Sequence, residues 1–182
     1  MSLRLRALEL HTPEWMARSA VRQLFDATAS AFGREPVDLH GLTHAELLER
    51  YAMFTTSYAE RALADRSDTD AVARRLWSTA HALGESLSRR LGVRTRGEAL
   101  RAARVAYRML GIDLWADQHG SVAVDRCPFA SWYSPDMCRL MSSLDAGLIA
   151  GLTRGGRLTF SERITEGRPR CLAAISWQEG PP

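Results

Sequence analysis

The sequence predicts an α+β fold, in which about four N-terminal helices precede an antiparallel sheet of two hairpins with one crossing helix. Apolar residues recur with a helical period up to Gly111, and after it they alternate as in strands. At 182 residues the chain can bury the core of one domain but is short for two. We therefore expect a single domain, 1–182, with a helical part (1–111) and a cysteine-bearing part of sheet and helix (112–182).

The four helices have recognisable ends. Thr12-Pro13-Glu14 offers a cap followed by proline at the first helical position, and this helix is expected to end at Gly33. Thr43-His-Ala-Glu46 and Thr95-Arg-Gly-Glu98 are capping boxes that begin the second and fourth helices. The third helix is expected from about Asp68 to just before Gly92, and the fourth ends at Gly111, a residue suited to a left-handed C-cap.

The strands follow as two hairpins. Residues 112–116 and 122–124 alternate around a turn at 117–120, which predicts a first hairpin whose second strand leads to Cys127. Ser134-Pro135-Asp136 then begins the crossing helix, and Gly155-Gly156 ends it. The second hairpin pairs 157–164 with 170–177 across the loop 165–169.

Charge and hydropathy exclude several classes of partner. All 24 basic residues are Arg, against 21 acidic residues, and residues 1–110 hold 17 Arg with 13 acids while 111–182 hold 7 with 8. A nucleic-acid-binding protein would normally concentrate its basic residues in a stripe, so no nucleic-acid partner is expected. The N-terminus does not resemble a signal peptide, and no apolar run approaches the ~20 residues of a membrane span. We expect a cytoplasmic protein with reduced thiols and no membrane partner.

The three cysteines, Cys127, Cys138 and Cys171, all lie in the last third of the chain. Cys138 comes soon after the proposed cap Ser134, where the helix dipole favours a thiolate. Asp145 follows seven residues later, on the same helical face. These four residues are the candidate catalytic group, although a small apolar core cysteine is an equally common role for such a residue.

Other arrangements of the thiols stay open. Three thiols and a carboxylate can form a tetrahedral zinc site, but the spacing is not that of a zinc knuckle. A disulfide between Cys138 and either of the other cysteines is also compatible with the sequence. We expect no cofactor, with zinc as the alternative.

Substrate-binding candidates surround the cysteines. Arg163 shares the predicted strand face with Thr159 and Ser161 and can hold a carboxylate through two hydrogen bonds. Thr165 follows it, and Trp132 and Tyr133, with Trp115 and Trp177, can line a small-molecule pocket. His119, in the predicted turn, is the candidate base if a histidine is needed.

The stretch from about Val122 to Ile175 resembles the L-2-amino-thiazoline-4-carboxylic acid hydrolase family of bacterial proteins. The residues that carry the resemblance are Cys127-Pro128, Cys138, Asp145, Arg163, Thr165, Gly167 and Cys171. The chain departs from the family pattern after Cys171, where Leu172 and Ala173 replace an acidic and an aromatic residue. A weaker similarity runs to 4-vinyl-reductase-type domains, which bind small molecules.

The resemblance implies a hydrolase that acts on a thiazoline or another cyclic amidine derived from an amino acid. Cys138 would attack the ring carbon, Asp145 would move protons and Arg163 would hold the substrate carboxylate, with Cys127 and Cys171 assisting. A ring-forming or transfer step in biosynthesis is one alternative, and a non-catalytic ligand-binding or sensor module with a zinc site is another. A homo-oligomer, or a complex with a pathway protein, is compatible with each of them.

Overall fold

The computed structural model describes residues 3–177, and within that range the fold is α+β, with six α-helices and a four-stranded antiparallel sheet. None of the helices in this range combines the length and apolar character needed to cross a membrane. In chain order the elements are α1 (Leu3–Leu10), α2 (Glu14–Ala31), α3 (His44–Ala64), α4 (Arg66–Leu91), α5 (Arg96–Met109), β1 (Asp113–Ala116), β2 (Ser121–Arg126), a 3-10 turn (Pro128–Ser131), α6 (Pro135–Thr153), β3 (Arg157–Glu162), a second 3-10 turn (Ile164–Glu166) and β4 (Cys171–Ser176).

Both predicted capping boxes are confirmed. The backbone N–H of Glu46 donates to Thr43 Oγ1 at 3.3 Å, and Glu46 Oε2 accepts from the backbone N–H of Thr43 at 2.8 Å. Thr95 and Glu98 exchange the same pair of bonds at the start of α5, each at 3.2 Å. Each box satisfies donors that the first turn of a helix otherwise leaves without a partner.

The N-terminal region differs from the prediction in two ways. Helix α1 was not predicted, and its C-terminal end lies against α5, where Arg108 Nη1 donates to the Glu9 carbonyl oxygen at 2.8 Å. Thr12 does not cap α2, because its hydroxyl donates back to the Leu8 carbonyl oxygen at 3.2 Å. The N-cap of α2 is Pro13 itself, in an extended conformation and without a side-chain hydrogen bond.

The sheet joins the two predicted hairpins, which are both confirmed, in the order β1-β2-β4-β3. The two central strands, β2 and β4, also pair antiparallel, with Val124 opposite Cys171. Because antiparallel neighbours run in opposite directions, the C-terminal end of β2 lies beside the N-terminal end of β4. That end of the sheet carries two of the three thiols.

The hydrophobic core spans the predicted helical and sheet parts. One cluster of buried side chains includes Phe25 of α2, Tyr51 of α3 and Tyr107 of α5 together with Val124 and Ile175 of the sheet. A second cluster lies where α3, α4 and α6 meet. Helices on both sides of Gly111 therefore depend on one another for burial, and the single cooperative domain stays a prediction.

Helices α4 and α6 pack with their backbones in contact. A Cβ atom added at Gly147 would collide with the Trp77 carbonyl oxygen, and one added at Gly151 would collide with the His81 carbonyl oxygen. On the facing helix, a Cβ at Gly84 would lie 2.9 Å from the backbone nitrogen of Leu152. We call these three residues, Gly84, Gly147 and Gly151, the glycine seam. Small residues of this kind let two helix backbones approach closely.

Candidate active site

A cavity of about 110 Å³ lies beside α6, among the cysteines, and we call it the thiol cavity. Six of the eight predicted site residues line it: Cys127, Tyr133, Cys138, Asp145, Thr165 and Cys171. The remaining wall is mainly apolar and comes from further residues of α6, from the two 3-10 turns, and from α2, α3, α4 and α5 with Ile112. The fold therefore brings together residues that are up to 44 positions apart in the sequence.

Three different elements deliver the thiols. Cys127 directly follows β2, and Cys171 opens the neighbouring strand β4, so strand pairing places both at one end of the sheet. Cys138 is the fourth residue of α6, and its backbone N–H donates to the Ser134 carbonyl oxygen at 2.9 Å. Ser134 caps the helix as predicted, since its Oγ accepts from the Met137 backbone N–H at 3.3 Å.

The expectation of a low thiol pKa at Cys138 is not supported. Burial raises the pKa of Cys138, and the nearby charge of Asp145 raises it further. The Thr165 hydroxyl and the Arg163 guanidinium oppose this shift, because both favour the thiolate. Burial also raises the pKa of Cys171, and it raises that of Cys127 to about 12. Desolvation is the largest of these effects, so the resting form of Cys138 at neutral pH is the thiol.

Arg163 reaches the site by a different route from the one predicted. The ladder between β3 and β4 is irregular between Phe160 and Glu162, and a bulge of this kind reverses which face the following side chains occupy. Arg163 consequently lies over the Phe160 ring, at 4.8 Å, instead of sharing a face with Thr159 and Ser161. Its Nη2 donates to Ser142 Oγ at 3.5 Å, and Ser142 lines the thiol cavity although Arg163 itself does not.

Asp145 is a partly buried residue of α6, and its carboxyl has a hydrogen-bond partner that sequence reasoning missed. The Tyr107 hydroxyl donates to Asp145 Oδ1 at 2.6 Å, across 38 positions in the sequence. Burial raises the pKa of Asp145 to about 6, while the Tyr107 hydrogen bond and the charge of Arg163 lower it. A carboxyl that titrates near neutral pH is suited to both giving and accepting a proton.

Replacing Tyr107 with phenylalanine is expected to raise the pKa of Asp145 above about 6, because the hydrogen bond that favours the carboxylate is lost. The carboxyl titration can be followed by NMR of protein labelled with ¹³C at aspartate. Tyr51→Phe is the matched control, since the Tyr51 hydroxyl pairs with Thr28 Oγ1 at 3.1 Å. An unchanged Asp145 pKa in Tyr107→Phe would contradict the role assigned to this bond.

Two polar atoms near the cavity have no hydrogen-bond partner within the described residues. They are Nε of Arg163 and Oγ1 of Thr165, and both are fully removed from solvent. The Thr165 hydroxyl influences the Cys138 thiol, yet it makes no well-aligned hydrogen bond to it. Buried donors without partners are costly, and in a site they indicate where a ligand atom can bind.

The remaining predicted aromatic and histidine residues fall into two groups. Tyr133 lines the cavity, and its hydroxyl pairs with Thr55 Oγ1 at 2.6 Å. Trp132 does not line it, and 41% of its surface is exposed at the end of the first 3-10 turn. Trp115 is also exposed, and His119 lies in the 117–120 turn, where its backbone N–H donates to Asp117. Neither Trp132 nor His119 is placed to act in the thiol cavity.

No group of three or more His, Cys, Asp or Glu side chains between residues 3 and 177 is arranged to hold a metal ion. The three thiols all line the thiol cavity, where the charges of Cys138 and Cys171 raise the pKa of Cys127 and that of Cys138 raises the pKa of Cys171. The zinc alternative that they suggested therefore stays a prediction, without a matching ligand set in the described range.

Comparisons with known proteins do not indicate a family or a function for this chain. No protein-family model matches the chain, and a search of curated proteins finds no match. The resemblance to the L-2-amino-thiazoline-4-carboxylic acid hydrolase family, from about Val122 to Ile175, thus stays a prediction made from the sequence.

Proposed function

We propose that this protein is an enzyme that acts on a small carboxylate-bearing cyclic amidine, such as a thiazoline, through the Cys138 thiol. The observation that carries the proposal is the pair of unpartnered buried groups, Arg163 Nε and Thr165 Oγ1, beside a cavity that holds a thiol and a carboxyl. A substrate carboxylate would supply the acceptor atoms that these groups lack, and Arg is the residue best suited to that interaction.

The nucleophile and the proton-transfer group would lie toward opposite ends of the substrate. Cys138 and Asp145 are seven residues apart on α6, and a rise of about 1.5 Å per residue separates their Cα atoms by about 10 Å. Such a separation leaves room for a ring between the two side chains. Proton transfer between them would then pass through the substrate or a water molecule, and not directly.

The reaction balances as the addition of one water molecule. Sγ of Cys138 adds to the amidine carbon, and its proton passes through Asp145 to a ring atom attached to that carbon. The bond from the carbon to this atom breaks and opens the ring, which leaves the carbon bound to Cys138. Water then adds to the carbon, the bond to Sγ breaks, and a proton returns to the thiol.

The raised pKa of Cys138 has a role in this scheme. A neutral thiol in a buried site resists alkylation and oxidation while the enzyme is free of substrate. Above about pH 6 Asp145 is ionised and can accept the thiol proton, through the substrate or a water molecule, as the bond to carbon forms. A substrate carboxylate bound to Arg163 would also exclude water from the reacting atoms.

The proposal predicts that Cys138→Ser lowers the rate of ring opening of L-2-amino-thiazoline-4-carboxylate by more than about a thousandfold, because serine is a far weaker nucleophile in this setting. Ring opening is measured by mass spectrometry as the gain of one water by the substrate. Cys127→Ser and Cys171→Ser are matched controls that make the same chemical change at the other two thiols. Both are expected to retain more activity than Cys138→Ser.

The other outcomes separate the alternatives. Near-full activity in Cys138→Ser would refute the nucleophile assignment. No turnover by the native protein, together with near-stoichiometric zinc in metal analysis, would favour the ligand-binding or sensor module. Turnover only in the ring-closing direction, or only when an acceptor molecule is supplied, would favour the ring-forming or transfer enzyme.

A further inference from the structure

The thiol cavity by itself is small for a complete substrate. Its volume of about 110 Å³ is close to that of an engineered cavity of about 150 Å³ that holds one benzene molecule. Ligand pockets in proteins usually measure about 300–1,000 Å³. The thiol cavity can therefore enclose a ring-sized reactive group, and any larger substrate must extend out of it.

A second cavity, of about 600 Å³, adjoins the first, and we call it the helix groove. It lies between α1, α2, α4 and α5, with one residue of α6. Four leucines line both the helix groove and the thiol cavity: Leu24, Leu83, Leu110 and Leu148. They come from α2, α4, the C-terminal end of α5 and α6, and all four are only half-buried. They form the boundary between the two cavities. Leucines that fill a well-packed interior are fully buried, so the partial exposure of these four indicates that the boundary is not closed.

The lining of the helix groove fits an apolar occupant. Most of it consists of apolar side chains, among them Trp15, Met16, Leu87 and Val105, and no carboxylate occurs among its described lining residues. Its polar side chains include Gln23 and Arg90, which join α2 to α4 through a hydrogen bond of 3.4 Å from Arg90 Nη1 to Gln23 Oε1. Apolar walls with a few polar groups are typical of small-molecule sites.

We propose that the substrate carries an apolar arm, an alkyl chain or an extended aromatic group, which lies in the helix groove while its reactive head passes between the four leucines into the thiol cavity. The identity of the head rests on the proposed function above. The occupant is an arm of the substrate because the groove continues to the thiols. A groove that bound only a protein segment would not need to connect with the thiol cavity.

The test uses N-alkyl chloroacetamides with methyl, butyl and octyl chains as probes. Cys138 Sγ displaces chloride and forms a thioether, and intact-protein mass spectrometry with peptide mapping measures the rate at each cysteine. The rate at Cys138 is expected to rise at least about tenfold from methyl to butyl, since each buried methylene is stabilising. A rate at Cys138 that does not depend on chain length would overturn the proposal.

Variants locate the arm in the helix groove. Leu83→Phe narrows the boundary between the two cavities and is expected to remove the gain with chain length, and Leu24→Phe provides the same test from α2. Ala82→Phe is the matched control, because Ala82 is exposed on the same helix and lines neither cavity. If both leucine variants keep the full chain-length dependence, the chain lies elsewhere and the proposal fails.

A second measurement does not depend on thiol reactivity. N-octylacetamide, which cannot react, is expected to bind both the native protein and Cys138→Ser at least about tenfold more tightly than N-methylacetamide in calorimetry. Equal affinity for the two amides would overturn the inference about the arm, whatever the result of the labelling. If the octyl amide binds but no probe labels Cys138, the arm is supported, and the nucleophile assignment is decided by the activity of Cys138→Ser.

Discussion

Replacing Gly147 with alanine is expected to lower the free energy of unfolding by about 3 kcal/mol or more, or to prevent folding. The added Cβ would collide with the Trp77 carbonyl oxygen and would lie 2.9 Å from the carbonyl carbon. Both atoms belong to the backbone of α4, so no side chain can rotate away to make room. Overpacking in a well-packed core typically costs about 1–3 kcal/mol, and a rigid backbone places this site at the upper end of that range.

The measurement is chemical denaturation followed by circular dichroism, with Gly97→Ala as the matched control. Gly97 is also inside a helix, α5, and a Cβ added there would meet no atom within 4 Å. Alanine should therefore stabilise the protein at this position by up to about 1 kcal/mol, as helix propensity predicts. If Gly147→Ala were as stable as the native protein, α4 and α6 could not pack as closely as described.

Asp145→Asn is expected to gain stability relative to the native protein as the pH rises from about 4 to about 6.5. In the folded protein the pKa of Asp145 is about 6, against an ordinary value of 3.8. Between these two values the folded state holds a proton that the unfolded state has released, so the native protein loses stability with rising pH. The stability that Asp145→Asn gains relative to the native protein reaches about 3 kcal/mol and no longer increases well above the folded pKa of about 6.

The experiment compares the free energies of unfolding of the two proteins at several pH values. Asparagine keeps an acceptor oxygen for the Tyr107 hydroxyl, so the main change is the loss of the titrating group. The carboxyls of Glu46, Glu98 and Asp117 have lowered pKa values, so their contribution to stability increases as the pH rises. They are present in both proteins and cancel in the difference. A stability difference that stays constant across this pH range would contradict the assignment.

Local signals in the sequence predict most of the secondary structure. The capping boxes at Thr43 and Thr95 act within one helical turn, and the alternation around 117–120 defines a hairpin over a few residues, so each can be read without knowledge of the rest of the chain. Helix α1 carries no such signal, because charges interrupt its apolar residues and its contacts lie on α5. Thr12 shows the opposite case, in which a plausible cap hydrogen-bonds to the preceding helix instead.

The candidate site was predicted less completely, for physical reasons. Strand pairing and helix periodicity are sufficient to bring the three thiols and Asp145 to one cavity, as expected. The position of Arg163 depends on an irregular register between β3 and β4, and no pattern of residues in the sequence indicates this irregularity. Tyr107 reads in the sequence as an ordinary helix-face aromatic residue, and only the tertiary fold brings its hydroxyl to Asp145. The pKa of Cys138 depends on burial, which a cap position does not reveal.

The glycine seam also determines which wall of the thiol cavity can adapt to a ligand. Because their backbones are in contact, α6 cannot move toward α4. A larger ligand therefore cannot gain room by pushing α6 in that direction. The opposite wall includes Ile164 and Thr165, in a short 3-10 turn held to β4 by a 3.4 Å hydrogen bond from the Ile164 N–H to Cys171 Sγ. A sulfur acceptor is weak, and the turn's other link is a partly exposed ion pair of 2.6 Å between Arg139 of α6 and Glu166, so this turn yields more easily than two helices packed backbone against backbone. A molecule bound in the thiol cavity would thus contact one rigid wall and one compliant wall.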